Sequence, residues 1–321
     1  MADVNIGQVA SLAIKNYAPK VFDSVSNNIG YLNRLESKGN LEIKEGGEEL
    51  VYSLAYNEND TYIRYSGAQQ WDIREQQEFD AATYDWRQVG IAIPFNGLET
   101  DVIHVGKPAL KNLVKERTMN AERSMKNNFS GDVYSDGTEA NQIGGLQAIV
   151  PDTAGGTIGG IDGSTYSWWQ NYVLDASDAG AAVTAANIRS YMNKVYVNCT
   201  RGADHPDLII ADNNYFLDFL ESLQANQRFS GDPKLAAAGF ETIKYLGADV
   251  ICDGGYGGDA PANHMYFLNT DYLKLVSAKN RNFTAIDPDR YSSNQDAFVK
   301  LMAWAGNLVC TNRFAQGVLV A

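Results

Sequence analysis

Between Lys107 and Asn128 the apolar positions recur at helical spacing. Leu110, Leu113, Val114, Ala121 and Met125 share one face, with Arg117 and Thr118 filling the turn between them. Lys111, Lys115, Glu116, Glu122, Arg123 and Lys126 cover the remaining faces. Pro108 suits a first helical turn, where its missing N–H costs nothing, and no further Pro or Gly occurs before Gly131. At about 1.5 Å of rise per residue the segment predicts a helix roughly 33 Å long. Its apolar stripe is thin, so the helix should lie across one face of a larger body and not at the centre of a bundle.

Before this helix the period changes from helical to alternating. Residues 1–45 carry two short amphipathic patterns separated by Pro19. Ile6, Val9, Ala10 and Ala13 form the first, and Val21, Phe22, Val25, Ile29 and Leu32 the second. With little to bury against, they read either as a helical subdomain packed on the same chain or as an arm laid on a neighbour. Gly39, Gly46 and Gly47 mark loops. Leu50, Tyr52, Leu54 and Tyr56 then alternate with polar or small residues, and Val89, Ile91, Ile93 and Phe95 alternate again. The polar, aromatic-rich stretch between them suggests a long antiparallel excursion. A two-stranded ribbon is marginal alone, so Tyr62, Tyr65, Trp71 and Phe79, with Arg74 among them, are expected to contact another subunit, as is Phe22 of the arm. Tyr84 and Trp86 are out of phase with Val89–Phe95, which predicts a bulge or twist near Arg87.

After the long helix, Ile143–Asp152 reads as a turn and short strand, and the glycine-rich run from Thr153 to Thr165 as a loop or surface crossing. That run lacks the Gly-Lys-Ser/Thr of a phosphate-binding loop. Residues 183–290 carry an α/β pattern. Thr184 caps a helix that places Ile188, Tyr191, Met192, Val195 and Cys199 inward and stops at Gly202. Asp207–Ala211 is a strand, and Asp212 caps a second helix with Tyr215, Phe216, Phe219, Leu220 and Leu223 inward. Glu241–Gly255 reads as a hairpin turning near Gly247, His264–Ala278 as strand, turn, strand, and Ala285–Tyr291 as a turn. Two strands, Phe298–Cys310 and Ala315–Val320, end the chain and must pair with strands from earlier in the sequence.

Composition narrows the function. The 321 residues, 45% hydrophobic, suffice for one large core or two domains. A net charge of −13 argues against a nucleic-acid binder driven by a basic surface. The three cysteines, Cys199, Cys252 and Cys310, form no C-x-x-C pair and read as reduced thiols. No run of about 18 apolar residues and no signal-peptide pattern occurs, so no membrane association and a cytoplasmic site of synthesis are expected. His104, His205 and His264 stand apart from one another and from the cysteines, and the aspartates around Gly254 and Pro288 do not follow a calcium-loop pattern. They read as turn formers and caps. No catalytic residue, cofactor or metal is expected.

The order of these parts resembles the major capsid proteins of tailed bacteriophages, whose fold is named after phage HK97. Gly46–Phe95 is similar to that family's extended loop, Lys107–Asn128 to its spine helix, followed by Gly144–Val150, and Val183–Ala278 to its axial domain. Phe298–Ala321 is similar to its closing strands, where an arginine such as Arg313 precedes an apolar run. The resemblance covers nearly the whole chain but rests on architecture, since its motifs are individually weak. It implies an α+β fold divided into an N-terminal arm (1–45), an extended β-loop (46–97), a peripheral domain with the spine helix (98–150), an axial domain (151–290) and closing strands (291–321). It further implies pentamers and hexamers of the chain closing into an icosahedral shell around double-stranded DNA, assembled in a bacterial cytoplasm with portal, scaffolding and decoration proteins as partners. The DNA would be enclosed and not bound by sequence.

Two departures from the family follow from the residues. No lysine occurs from Glu45 to Gly106, so the cross-link some members form through a loop lysine is not expected. Only about 45 residues precede the loop, so the long cleaved scaffolding segment of other members is not expected either. An encapsulin nanocompartment, which shares this fold but encloses protein cargo, remains open as an alternative. So do a soluble α/β enzyme of unknown activity and, more remotely, a tail-tube or decoration protein.

Overall fold

A computed structural model describes residues 29–57, 59–71, 73–75, 77–96, 107–177, 180–223, 242–254, 259–291 and 297–321. Two sheets organise them. The first is built around β14 (Ala297–Cys310), a 14-residue strand paired along both edges. On one edge lies β4 (Arg87–Asn96), antiparallel, with Ala297 opposite Asn96 and Gly306 opposite Arg87. On the other edge β12 (Leu273–Ala278) pairs with residues 306–310, and β13 (Thr284–Tyr291) with residues 298–303. The short β1 (Leu41–Lys44) adds a parallel edge strand to β12. Where β4, β12 and β14 meet, the position is Gly306. A Cβ there would lie 2.0 Å from the Val276 carbonyl oxygen, so only glycine fits.

The second sheet has six strands. In spatial order they are β7 (Tyr172–Asp175), β15 (Gly317–Val320), β11 (His264–Leu268), β8 (Leu208–Ala211), β10 (Ala248–Cys252) and β9 (Thr242–Tyr245). Period-2 alternation divides this sheet between two cores. Leu208 and Ile210 of β8, Tyr266 and Leu268 of β11 and Val318 of β15 face the core shared with the first sheet. Ile209, Ala211, Met265, Phe267 and Leu319 face the opposite core, under two helices. That is why residues 208–211 are apolar without interruption: a strand covered on both faces has no polar side.

The long helix, α2, runs from Lys107 to Tyr134. At about 1.5 Å per residue its 28 residues span roughly 42 Å, longer than the sequence pattern suggested. Gly131 does not end it, because Phe129 and Val133 extend the stripe begun by Val114, Thr118, Ala121 and Met125, all buried. The stripe packs with Ile93 and Phe95 of β4 and Met302 and Trp304 of β14 in one core. Phe129 meets Trp304 edge-on at 4.9 Å between ring centres. The buried Thr118 hydroxyl donates to the Val114 carbonyl at 2.8 Å and so costs the core no unpaired group.

Ahead of the first sheet, α1 (Gly30–Lys38) buries Tyr31, Leu32 and Leu35 on its own chain, so this part of the N-terminal region is core and not a detached arm. Gly39 ends it in the left-handed region at φ 76°. Arg34 and Lys38 reach Asp207, both at 3.1 Å, and Arg34 also approaches the buried Asp249 at 3.5 Å.

Several local expectations are corrected. Residues 146–149 form one helical turn, α3, and not a strand. The glycine-rich run contains a tight hairpin, β5 (Thr157–Ile158) and β6 (Ile161–Asp162), turning on Gly159 and Gly160. The helix expected from Thr184 starts at Ile188 as α4 (Ile188–Asn198), and the Thr184 N–H donates to Asn187 Oδ1 at 2.7 Å. Gly202 is left-handed but lies beyond that helix, in the Arg201–Asp204 turn. The Asp287–Pro288–Asp289 stretch is not a turn but the middle of β13. Its ladder shifts register between Ile286 and Arg290, the irregularity that lets a proline sit in a strand. Asp212 does cap α5 (Asn213–Leu223), accepting from the Tyr215 N–H at 3.0 Å. The hairpin does turn at Leu246 and Gly247, both at positive φ.

Candidate functional site

Alternation in residues 50–56 predicted one strand of a ribbon, but its partner differs from the one the sequence suggested. β2 (Leu50–Ala55) pairs with β3 (Phe79–Tyr84), Leu50 opposite Tyr84 and Ala55 opposite Phe79, while β4 joins the first sheet. The phase break at Tyr84–Trp86 is therefore a change of sheet and not a bulge.

One face of the ribbon anchors it to its own chain. Leu50, Leu54, Ala82 and Tyr84 pack with Ile161, Trp169, Val276 and Val309. Tyr84 is tied at both ends of its hydroxyl, donating to the Cys310 carbonyl at 2.8 Å and accepting from the Cys310 N–H at 3.3 Å. Burial first, then the neighbouring Cys310, pushes its pKa well above the ordinary tyrosine value. The tight hairpin docks here too: the Thr83 N–H donates to the Gly159 carbonyl at 2.9 Å. A Cβ on Gly159 would come within 3.0 Å of the Ala82 Cβ, on a backbone with φ of 61°. Trp86 Nε1 donates to the Gly47 carbonyl at 3.0 Å, and Asn307 Nδ2 to the Asp85 carbonyl at 2.9 Å, fixing both exits of the ribbon.

Past Tyr56, whose N–H still pairs with the Glu78 carbonyl at 3.1 Å, several large side chains are exposed. Tyr62 is 80% exposed, Tyr65 57%, Trp71 59% and Ile73 93%. Tyr65 and Trp71 lie together, ring centres 4.9 Å apart. Arg74 is exposed on the same segment. Phe79 is also exposed, but it opens β3 on the ribbon's outer face, the face of Val51, and does not join the Tyr65–Trp71 pair. Phe22 lies outside the described residues. Ile73 was not among the residues singled out from the sequence.

Two concavities flank these elements. A cleft of about 930 Å³ opens at the ribbon's base, with Tyr56, Trp168, Phe314, Tyr272, Arg201 and Asp204 among its walls. Tyr56 and Trp168 stack at 4.7 Å, and Tyr272 donates to Asp204 at 2.8 Å. A groove of about 430 Å³ runs between β4 and α2, past Ile91, Ile93, Leu113 and Arg117. The Arg117 guanidinium there donates to the Pro94 carbonyl.

Arg313, just after β14, is fully buried. Its Nε donates to the Ile149 carbonyl at 3.0 Å, one terminal nitrogen to the Trp169 carbonyl at 2.9 Å and the other to Asn171 Oδ1 at 3.0 Å. Burial lowers its pKa below the ordinary arginine value. One planar fork thus joins the helical turn after α2, the crossing at 169–171 and the last loop before β15.

Chemistry is sparse. Among the described residues, no group of three or more His, Cys, Asp or Glu side chains is placed to hold a metal ion. No described helix is long and apolar enough to cross a membrane. His205 Nδ1 lies 3.0 Å from the Pro206 carbonyl, and His264, the first residue of β11, places Nε2 3.0 Å from Asp152 Oδ1, so both rings are engaged. His104 lies outside the described residues. Cys199 and Cys310 are buried free thiols, each pushed up to about 12 by burial.

The sequence matches no family model and no curated protein. The structure does have counterparts. It is similar to a chain of the cyanophage A-1(L) capsid asymmetric unit, with a TM-score of 0.66 and 16% identity over 88% of this chain and 90% of that one. It is similar to a chain from the capsid of the native GTA particle, with a TM-score of 0.56 and 12% identity over 88% of each chain. It is also similar to a chain of the holo-SrpI encapsulin complex of Synechococcus elongatus, with a TM-score of 0.50 and 10% identity over 91% of this chain and 86% of that one. The chain therefore has the α+β, HK97-like fold found in phage capsids.

Proposed function

We propose that this chain, built on the HK97-like fold, is the shell subunit of a tailed phage. Its copies assemble as pentamers and hexamers into a closed icosahedral shell around double-stranded DNA, and it does no catalysis. The observation that carries the reading is the ribbon. A well-anchored base projects Tyr62, Tyr65, Trp71 and Ile73, four large apolar side chains that their own chain leaves 57–93% exposed. Clustered exposed aromatics of this kind mark protein–protein contacts. A projecting segment that contacts a different surface of the next copy is a head-to-tail contact, which closes into rings when the rotation permits. Many such contacts per subunit make a shell stable even when each is weak.

A net charge of −13 suits a container that must release its DNA, because a strongly basic lining would hold phosphate tightly. The partners are then further copies of the chain and the portal, scaffolding and decoration proteins of a virion. The similarity to the encapsulin chain supports a second reading, a shell around protein cargo.

Electron microscopy of the purified full chain, expressed alone and together with its candidate scaffolding partner, tests the proposal. Closed shells or rings of five and six are expected, and nuclease-protected DNA inside particles from infected cells separates a capsid from an encapsulin. A monodisperse monomer at high concentration under both conditions would overturn both readings.

A further inference from the structure

The second strong feature of the molecule lies away from the ribbon, where the end of α2 meets the six-stranded sheet. Asp253 directly follows β10. Its N–H donates to the Ala211 carbonyl at 3.1 Å and its own carbonyl accepts from Ala260 at 2.9 Å, so its backbone is fixed to the sheet. Its carboxylate accepts the hydroxyl of Tyr134, the last residue of α2. Tyr134 is 2% exposed, in the core that holds α1, α2 and both sheets.

The groups around this pair are mostly neutral or acidic. Asp259 faces Asp253 from the following loop, and Cys252 precedes it on β10, with Asp212 beyond. Tyr31 of α1 and Tyr266 of β11 lie behind Tyr134, and the Asp152–His264 pair stands beyond Tyr266. Burial raises the Asp253 carboxyl, the Tyr134 hydrogen bond opposes, and Asp259 adds to the rise, leaving it at about 6.

We infer that Asp253 and Tyr134 form a proton-sensitive joint between the C-terminal end of α2 and the six-stranded sheet, firm when Asp253 is neutral and looser when it is ionised. The sign follows from linkage. A carboxyl that binds its proton more tightly in the closed joint than in the open one favours closure at low pH. That advantage fades as pH rises through the folded value of about 6. Because α2 packs on the first sheet while Asp253 belongs to the second, the joint couples the two sheets. It does not depend on the assembly reading, since every group in it belongs to one chain.

Hydrogen–deuterium exchange read by mass spectrometry on the full chain tests it. After correction for intrinsic exchange rates, protection of the last turn of α2 should rise about tenfold from roughly pH 7 to roughly pH 5. Asp253→Asn keeps an acceptor for Tyr134 but cannot ionise, and should abolish that rise. Tyr134→Phe removes the bond that favours the ionised form, and should move the midpoint of the rise to higher pH. Flat protection in the wild type, or an unchanged pH slope in D253N, would overturn the inference. Either result can be read in a monomer or in a shell.

Discussion

Arg313 shows how much structure one side chain can organise. Its charge is buried without a carboxylate within its hydrogen bonds, and is held by two backbone carbonyls and Asn171. Removing it leaves those acceptors buried and unpaired, so Arg313→Met should lower the unfolding free energy by about 3 kcal/mol or more, read by chemical denaturation. Arg313→Lys keeps the charge but loses the fork and should recover little of the loss. Asp207 acts through charge. Burial works against its ionised form, but the Thr270 N–H and hydroxyl, Lys38 and Arg34 outweigh it and hold the carboxyl below its ordinary value. A depressed folded pKa gives stability that is full above the unfolded value of about 4 and lost as pH falls through the folded one. Asp207→Asn should therefore cost roughly 2 kcal/mol at neutral pH and nothing in strong acid, read as the difference between two pH-dependent melting curves. The sign is opposite to that of Asp253, although both are aspartates beside the same sheet. One has cations as neighbours, and the other a tyrosine and a second carboxylate.

At the scale of elements, α2 is continuous because its buried stripe is continuous. The periodic stretch read from the sequence ends at Asn128, and glycine is a poor helix former, yet Phe129 and Val133 on either side of Gly131 are buried, and packing outweighs propensity. A Cβ at Gly131 would meet nothing within 4 Å. Gly131→Ala should therefore stabilise the protein by about 0.5–1 kcal/mol, measurable in the same denaturation experiment. The ribbon divides into a base packed on its own chain and a segment whose large side chains are exposed. Replacing Tyr62, Tyr65 and Trp71 together by Ser removes no core contact, so the melting temperature of the unassembled chain should stay within a degree or two. Sedimentation should then show assembly lost while folding is kept. Unfolding of the triple variant would instead assign those rings to the chain's own core.

Over the whole molecule, the last 25 residues close both sheets. β14 is the central strand of the first, and β15 lies between β7 and β11 in the second. These are long-range pairings, so neither sheet is complete until the chain's end is in place. Deleting 317–321 should remove an interior strand and expose the edges of β7 and β11. The expected outcome is insoluble protein or a loss of the cooperative thermal transition, seen by circular dichroism.

Much of this architecture was legible in order and type. The period of residues 107–128, the apolar run at 208–211, the Asp212 cap and the turn at Gly247 each depend on interactions within a few residues, so the sequence alone determined them. It also determined that large aromatics cluster between two strands with too little local apolar partner to bury them. What only the tertiary structure decided were pairings between distant segments. β1, four residues long, has no readable period and exists because β12 offers it an edge. Residues 285–291 look like a turn because of Pro288, yet β14 holds them in β13 with a shifted register. β2 takes β3 as its partner instead of β4 because β14, more than two hundred residues away, claims β4. Local spacing fixes which face of an element is apolar, but which element covers that face depends on the competition among all faces present, and that competition is settled only when the chain is folded.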